Sequence, residues 1–261
     1  MIPSDWPKLG LGISGPHATR FVSEKETVRL VHAAIEMGVT LFDTGPMYGA
    51  GEAERRLGLA LKGVPRDKVF VVTKVRTFMP DGAFCPPFET QLRASLKRLG
   101  RNDVDAVLLH GPRAAEVSRG WTGDLRQAKA LGMIRYGGVC ARDAARWAIW
   151  DDPANADQYD LLMTPLDDPA LLARAAQTGV GVLAIETMRS RRRFRLPRSQ
   201  ADLWYLARDV RDAWTNAPQP SGPGLEAALS LPGVRSAIVT TTRPAHLEEN
   251  ARRAGVIRPT G

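Results

Sequence analysis

The sequence predicts a closed barrel of eight parallel β-strands alternating with helices, a (β/α)8 TIM barrel in one α/β domain spanning residues 1–261. Three observations point there. Short apolar runs of strand composition recur along the chain and alternate with helical stretches, the pattern of a parallel sheet rather than of segregated strands and helices. Three of these runs end in a polar residue: Asp43 closes the run from Val39, Lys74 the run from Val69, and His110 the run from Ala106. A barrel collects strand C-termini at one rim, where active sites gather. The third observation is size. The chain has 261 residues, close to the ~250 of an eight-unit barrel. No G-x-G-x-x-G follows the first strand and no break in composition marks a second domain.

The elements follow in order. Leu9 to Gly12 reads as the first strand. Ser23 with Glu26 forms an S-x-x-E capping box for a helix that carries Val28, Val31, Ala34 and Ile35 on one face and ends at Gly38. The second strand ends at Asp43, and Gly45-Pro46 breaks the chain before Tyr48. A helix follows from about Gly51. The third strand, Val69 to Lys74, leads through a long irregular loop to a helix from Phe88 to Leu99. The fourth strand ends at His110. A helix at Leu125 to Leu131 precedes the fifth strand, Tyr136 to Cys140, and Arg142 to Trp150 reads as helical. Leu161 to Thr164 and Val180 to Ile185 are the sixth and seventh strands, separated by a helix from Ala170 to Gln177. Gln200 to Asn216 and Leu225 to Leu231 read as helices, Ser236 to Thr240 as the eighth strand, and Pro244 as the first residue of the last helix.

Net charge is +8. A basic balance speaks first to solubility, and no RNA-binding module or helix-turn-helix pattern accompanies it. No nucleic-acid partner is expected. No apolar run approaches the ~20 residues that span a bilayer, and the N-terminus has no basic segment followed by an apolar one. The expectation is a cytoplasmic protein without a membrane partner. The two cysteines, Cys85 and Cys140, form neither a disulfide framework nor a metal-ligand spacing, so no metal site is expected. Oligomeric state is not readable from this pattern.

Strand ends place Asp43, Lys74 and His110 around Tyr48. A tyrosine titrates near 10, too high for an efficient acid, and a neighbouring ammonium lowers that value. Asp43 would keep Lys74 charged and oriented. Tyr48 could then give a proton to a carbonyl oxygen as hydride arrives at carbon, while His110 hydrogen-bonds the same oxygen. Taken singly, each residue has a plainer reading: a turn carboxylate, a packing tyrosine, a solvated lysine, a loop histidine. Their shared order and strand-end positions favour a site. At the other end of the chain, T-T-T-R-P-A-H-L-E-E-N, from Thr240 to Asn250, joins a strand end to a helix N-terminus, which suits a phosphate.

Asp43, Tyr48, Lys74 and His110, with G-E-A-E-R-R-L-G after the tyrosine loop and the Thr240–Asn250 stretch, make the chain resemble the aldo-keto reductases over nearly its whole length. The resemblance implies NADP as cofactor and a small carbonyl or alcohol substrate. It implies cofactor contacts from Gly12, Thr240, Thr241, Thr242 and Arg243, with Arg243 and His246 toward a ribose phosphate and Glu249 and Asn250 toward adenine. Three positions depart from the family. Cys140-Ala141 replaces the common Ser-Asn after the fifth strand, and Met163 replaces Gln on the sixth. These groups normally hold the nicotinamide carboxamide, and each lost hydrogen bond costs about 1 kcal/mol. The position after the seventh strand, around Glu186-Thr187-Met188, lacks an evident stacking residue, and the N-terminal hairpin that often plugs the barrel is shortened. Two alternatives therefore stay open: a lyase, isomerase or cyclase that uses Tyr48, Lys74 and His110 without nicotinamide, and a non-catalytic binder. Substrate contacts are expected from the rim loops Pro16 to Arg20, Phe78 to Pro86 and Pro112 to Trp121, with Phe84 and Trp121 as candidate walls. The basic insert Arg189 to Arg198 is either a solvated loop or a clamp for an anion.

Overall fold

A computed structural model of the chain describes residues 5–79, 85–119, 121–152, 155, 158–188, 199–214 and 222–257. Phe84 and the basic insert Arg189 to Arg198 lie outside the described residues. The strands β1 (Leu9–Gly12), β2 (Leu41–Asp43), β3 (Phe70–Val75), β4 (Val104–His110), β5 (Ile134–Cys140), β6 (Leu161–Thr164), β7 (Gly181–Ala184) and β8 (Val234–Val239) close into one barrel in sequence order. Every neighbouring pair is parallel, and β1 closes on β8 through Leu9↔Ala237 and Leu11↔Val239.

Strand alternation divides the apolar residues into two cores. Leu41, Val72, Ala106, Leu108, Leu161, Leu183 and Ile238 fill the barrel interior. Val71, Val75, Val107, Leu109, Val139 and Val182 point outward and pack with the helices. Asp43 lies two residues past Leu41, Lys74 two past Val72, and His110 two past Leu108. The polar strand ends are therefore the next inward step of rows that begin as apolar core.

The helices are α1 (Glu24–Glu36), α2 (Glu52–Ala60), α3 (Phe88–Leu99), α4 (Ala114–Arg119), α5 (Thr122–Ala130), α6 (Pro169–Thr178), α7 (Gln200–Trp214), α8 (Leu225–Leu229) and α9 (Pro244–Arg253). The capping box at α1 is present: the Ser23 hydroxyl accepts from Glu26 N, and the Glu26 carboxylate accepts from Ser23 N at 2.8 Å. The helix from Arg142 to Trp150 is instead a 3-10 segment, Ala144–Trp150, opened by the Asp143 side chain accepting from Ala145 N. Seven residues leave little length over which an α-helix repays its nucleation cost.

The G-E-A-E-R-R-L-G stretch on α2 is an anchor for the rim. Glu54, fully buried, accepts from Thr73 Oγ1 on β3 and from Arg98 Nε on α3, both at 2.6 Å. Arg56 donates to the carbonyls of His17 at 2.9 Å and Val22 at 2.6 Å, holding the loop after β1. At the opposite end of the barrel, Trp6 closes the bottom. Its ring packs 5.1 Å from Phe70 and 5.2 Å from Tyr136, and its Nε1 donates to Ser236 Oγ at 2.8 Å. One aromatic side chain thus closes the interior core from below.

Candidate active site

The C-terminal rim brings Asp43, Tyr48, Lys74 and His110 together. Lys74 is 1% exposed, and its Nζ donates to the Asp43 carboxylate and, at 2.7 Å, to the Thr44 carbonyl. Its ammonium lies 5.4 Å from the centre of the Tyr48 ring. The Tyr48 and His110 rings sit with centroids 6.1 Å apart. The tyrosine reaches this position because Gly49 turns the chain sharply. Its φ is +62°, and a Cβ there would lie 2.5 Å from the Ala18 carbonyl, so only glycine fits.

Burial sets the protonation of this group. It is the largest influence on the Lys74 ammonium and works against it, but the groups around it, Asp43 foremost, together outweigh burial and hold the lysine above its ordinary range. Burial also lifts the Asp43 carboxyl, with Lys74 pulling the other way. Tyr48 departs from expectation. Lys74 does draw its pKa down, but burial and the Asp43 carboxylate together more than offset that pull, so the phenol ends above its usual value. The carboxylate that holds Lys74 is close enough to cancel much of its field at the phenol. His110 is driven down to about 3, first by burial and then by the charges of Lys74, Arg76 and Arg142. At neutral pH the set is therefore a phenol, a neutral imidazole and an ion pair.

Cys140 lies beside this group, at the end of β5 in register with His110 and Met163. Burial raises its thiol to about 11. Met163 is 1% exposed and faces the interior, whereas Ala141 points outward into the helix layer.

The strand-to-helix junction after β8 lies on the same rim, between β7 and β1. Gly12 packs closely there: a Cβ would stand 2.6 Å from Thr240 Oγ1 and would make that hydroxyl turn away. His17 Nε2 pairs with the Thr241 carbonyl at 2.8 Å, fastening the loop after β1 to the loop after β8. Arg243 is the N-cap of α9 and supplies no side-chain cap. Its own N donates to Thr241 Oγ1 at 3.1 Å, His246 N donates to the Arg243 carbonyl at 3.1 Å, and Pro244 has no N–H, so Ala245 N is the first-turn donor that faces outward for another partner. The Arg243 guanidinium itself is engaged by Asp202 on α7 at 2.6 and 2.8 Å. Thr240 and His246 are exposed and Thr242 is half-buried. Glu249 pairs with Arg253 at 2.8 Å, and Asn250 is buried.

Comparison with known proteins agrees with this architecture. The model described as Aldo/keto reductase family matches residues 8–194. The chain belongs to the aldo/keto reductase family. An aldo-keto reductase of Mycolicibacterium smegmatis is 38% identical over 137 residues, a match covering 51% of this chain and 44% of that relative, so less than half of that protein is spanned. A D-threo-aldose 1-dehydrogenase of Pseudomonas is 28% identical over 301 aligned residues, with 98% of this chain and 91% of that protein covered. Among solved structures, an aldo/keto reductase from Klebsiella pneumoniae in complex with NADP and acetate superposes with a TM-score of 0.70 at 24% identity, over 98% of this chain and 88% of that one.

Within this aldo/keto reductase, four rim residues escape a reading by strand ends alone. Arg76 lies two residues past Lys74, Arg142 two past Cys140, and Glu186 accepts from Arg142 Nε at 2.8 Å. Asp202 lies on a helix distant in sequence from its partner Arg243. Inward alternation carried one step beyond β3 and β5 finds the two arginines. Trp121, a candidate wall, packs instead on Phe88 with centroids 6.0 Å apart and joins the outer core.

Proposed function

We propose that this protein is an NADPH-dependent oxidoreductase that reduces the carbonyl of an aldehyde or ketone, or oxidises the corresponding alcohol, with Tyr48 as the proton donor. The observation that carries the reading is the buried Lys74–Asp43 ion pair beside a protonated Tyr48 and a neutral His110 on one rim. The dehydrogenase relative, named for its action on an aldose, supports the same exchange between alcohol and carbonyl.

NADPH, when bound, supplies the hydride. The residues of the β8–α9 junction suit its phosphates: the N-terminus of α9 lacks a side-chain cap, Thr240 is exposed, and Arg243 offers a fork-shaped cation. Gly12 and Thr240 to Thr242 would line the pyrophosphate, Arg243 and His246 the 2′-phosphate, and Glu249 and Asn250 the adenine side. Toward the carboxamide, Cys140 and Met163 give weak sulfur acceptors. The Thr187 hydroxyl, buried just past β7 with no partner among the described residues, is an orphaned polar group on that side.

Tyr48 gives its proton to the carbonyl oxygen as negative charge develops there. Lys74 favours the phenolate that remains, and Asp43 keeps Lys74 in place. Neutral His110 donates a hydrogen bond to the same oxygen and fixes which face of the carbonyl is presented.

The test is fluorescence titration with NADPH, followed by its consumption with a panel of small aldehydes. Binding and turnover are expected. Absence of binding to NADPH and NADH at ~1 mM, a free energy weaker than about −4 kcal/mol, would exclude hydride transfer and turn attention to acid–base chemistry at Tyr48, Lys74 and His110.

A further inference from the structure

The mouth of the site carries more positive charge than the proton-transfer group needs. Inward alternation places Arg76 one step above Lys74 and Arg142 one step above Cys140. β4, which ends at His110, runs between β3 and β5, so the two arginines flank His110. Both lie near enough to disfavour its charged form.

The two are held differently. Arg142 is bound to Glu186, whose backbone stands at φ +57°. A non-glycine residue rarely adopts that conformation, and such strain clusters at ligand sites. Arg76 is half-buried and meets no carboxylate among the described residues. Its Nε contacts the thioether of Met47, a weak acceptor, and among the described residues no hydrogen bond engages its two terminal nitrogens. Its backbone is fixed on both sides: Arg76 N donates to Gln91 Oε1 at 2.9 Å, and Gln91 Nε2 donates back to the Arg76 carbonyl at 3.0 Å. The nearby Glu116 is occupied by Thr77 at 2.6 Å and by Arg113. Of the cations at this mouth, Lys74 and Arg142 have carboxylate partners and Arg76 has none among the described residues. The half-buried guanidinium is thus open to an anion from outside, and its planar fork matches a carboxylate.

We propose that Arg76, supported by Arg142, binds a carboxylate on the substrate, so that the preferred substrate is a carbonyl compound bearing an acid group. This rests on the reductase reading above. Arg76 would orient the molecule by its anionic end while the carbonyl lies between Tyr48 and His110.

The test compares 4-formylbenzoate with its methyl ester, which present the same aldehyde with and without the charge, using full-length protein and NADPH. Wild type should favour the acid by about tenfold or more in kcat/KM, as expected for a charge-assisted bond. Arg76→Met should lower the acid-to-ester ratio by about tenfold, and Arg76→Lys should recover part of it. A wild-type ratio at or below one, or a ratio unmoved by Arg76→Met, overturns the proposal. If wild type consumes NADPH with neither aldehyde, the dinucleotide titration decides the reductase reading separately, and calorimetric binding decides the anion site. Weaker binding of 4-formylbenzoate to Arg76→Met than to wild type, by tenfold or more, then supports it, and equal binding overturns it.

Discussion

Lys74 has its ammonium sealed against the Asp43 carboxylate, with 1% and 7% of the two side chains exposed. Such a pair is expensive to break from one side, because the remaining charge has no water to fall back on. Lys74→Met should therefore destabilise the barrel by about 3–5 kcal/mol. The double variant Lys74→Met/Asp43→Leu, which removes both charges, should be clearly milder. Urea denaturation of wild type, Lys74→Met, Asp43→Leu and the double variant reads the difference. A double variant as unstable as the sum of its singles would mean that the pair is not coupled.

Tyr48 tests the chemistry rather than the fold. Tyr48→Phe removes a half-buried hydroxyl and leaves the ring against Lys74 and His110. If the phenol is the proton donor, turnover should fall by about 10²-fold or more, with NADPH binding and the thermal midpoint little changed. Equal turnover would remove Tyr48 from the mechanism.

His110 links the site to stability through pH. Its folded pKa is about 3 against an ordinary 6.5. The unfolded chain takes up a proton below pH ~6.5 that the folded chain refuses until pH ~3, so stability is lost as pH falls through that window. Between pH 7.5 and 5 the loss from this group is about 2 kcal/mol. His110→Gln should lose that much less over the same interval, measured by urea midpoints at both pH values. An identical decline would show that His110 titrates normally in the folded protein.

Much of this was legible in the sequence because strand period and chain order survive folding. Asp43, Lys74 and His110 were readable because each interrupts an apolar run at its last residue, and the barrel turns that linear feature into a common rim. The charge balance was less legible. Lys74 was expected to lower the Tyr48 phenol, and the field of Asp43, close behind it, together with burial reverses the outcome. The 3-10 segment at Ala144–Trp150 has the composition of a helix but not the length. Asp202 was unreadable as a partner for Arg243, since 41 residues separate them and nothing in local pattern joins α7 to the start of α9. Arg76 was within reach: it continues the inward row of β3 by one step, past the point where the run stops looking like a strand.

The contact between Arg243 and Asp202 yields the sharpest statement about cofactor choice. The pair is partly exposed, 45% and 22% for the two side chains, so it is worth no more than about 0–1 kcal/mol. A 2′-phosphate offers Arg243 a charge-assisted bond of about 1.5–3 kcal/mol, enough to displace Asp202 and leave a net gain. NADH has no such group and leaves the pair intact. Arg243→Ala should then weaken NADPH binding by about one to two orders of magnitude while changing NADH binding little. Asp202→Asn should act in the opposite sense. It removes the competing carboxylate and tightens NADPH by up to about fivefold, the equivalent of 1 kcal/mol, again with little effect on NADH. Fluorescence titration of wild type and both variants with the two dinucleotides gives all six constants. If Arg243→Ala weakens both cofactors alike, Arg243 serves the structure of the α9 terminus and not the phosphate. If Asp202→Asn weakens NADPH, the carboxylate is positioning Arg243 for the phosphate rather than competing with it.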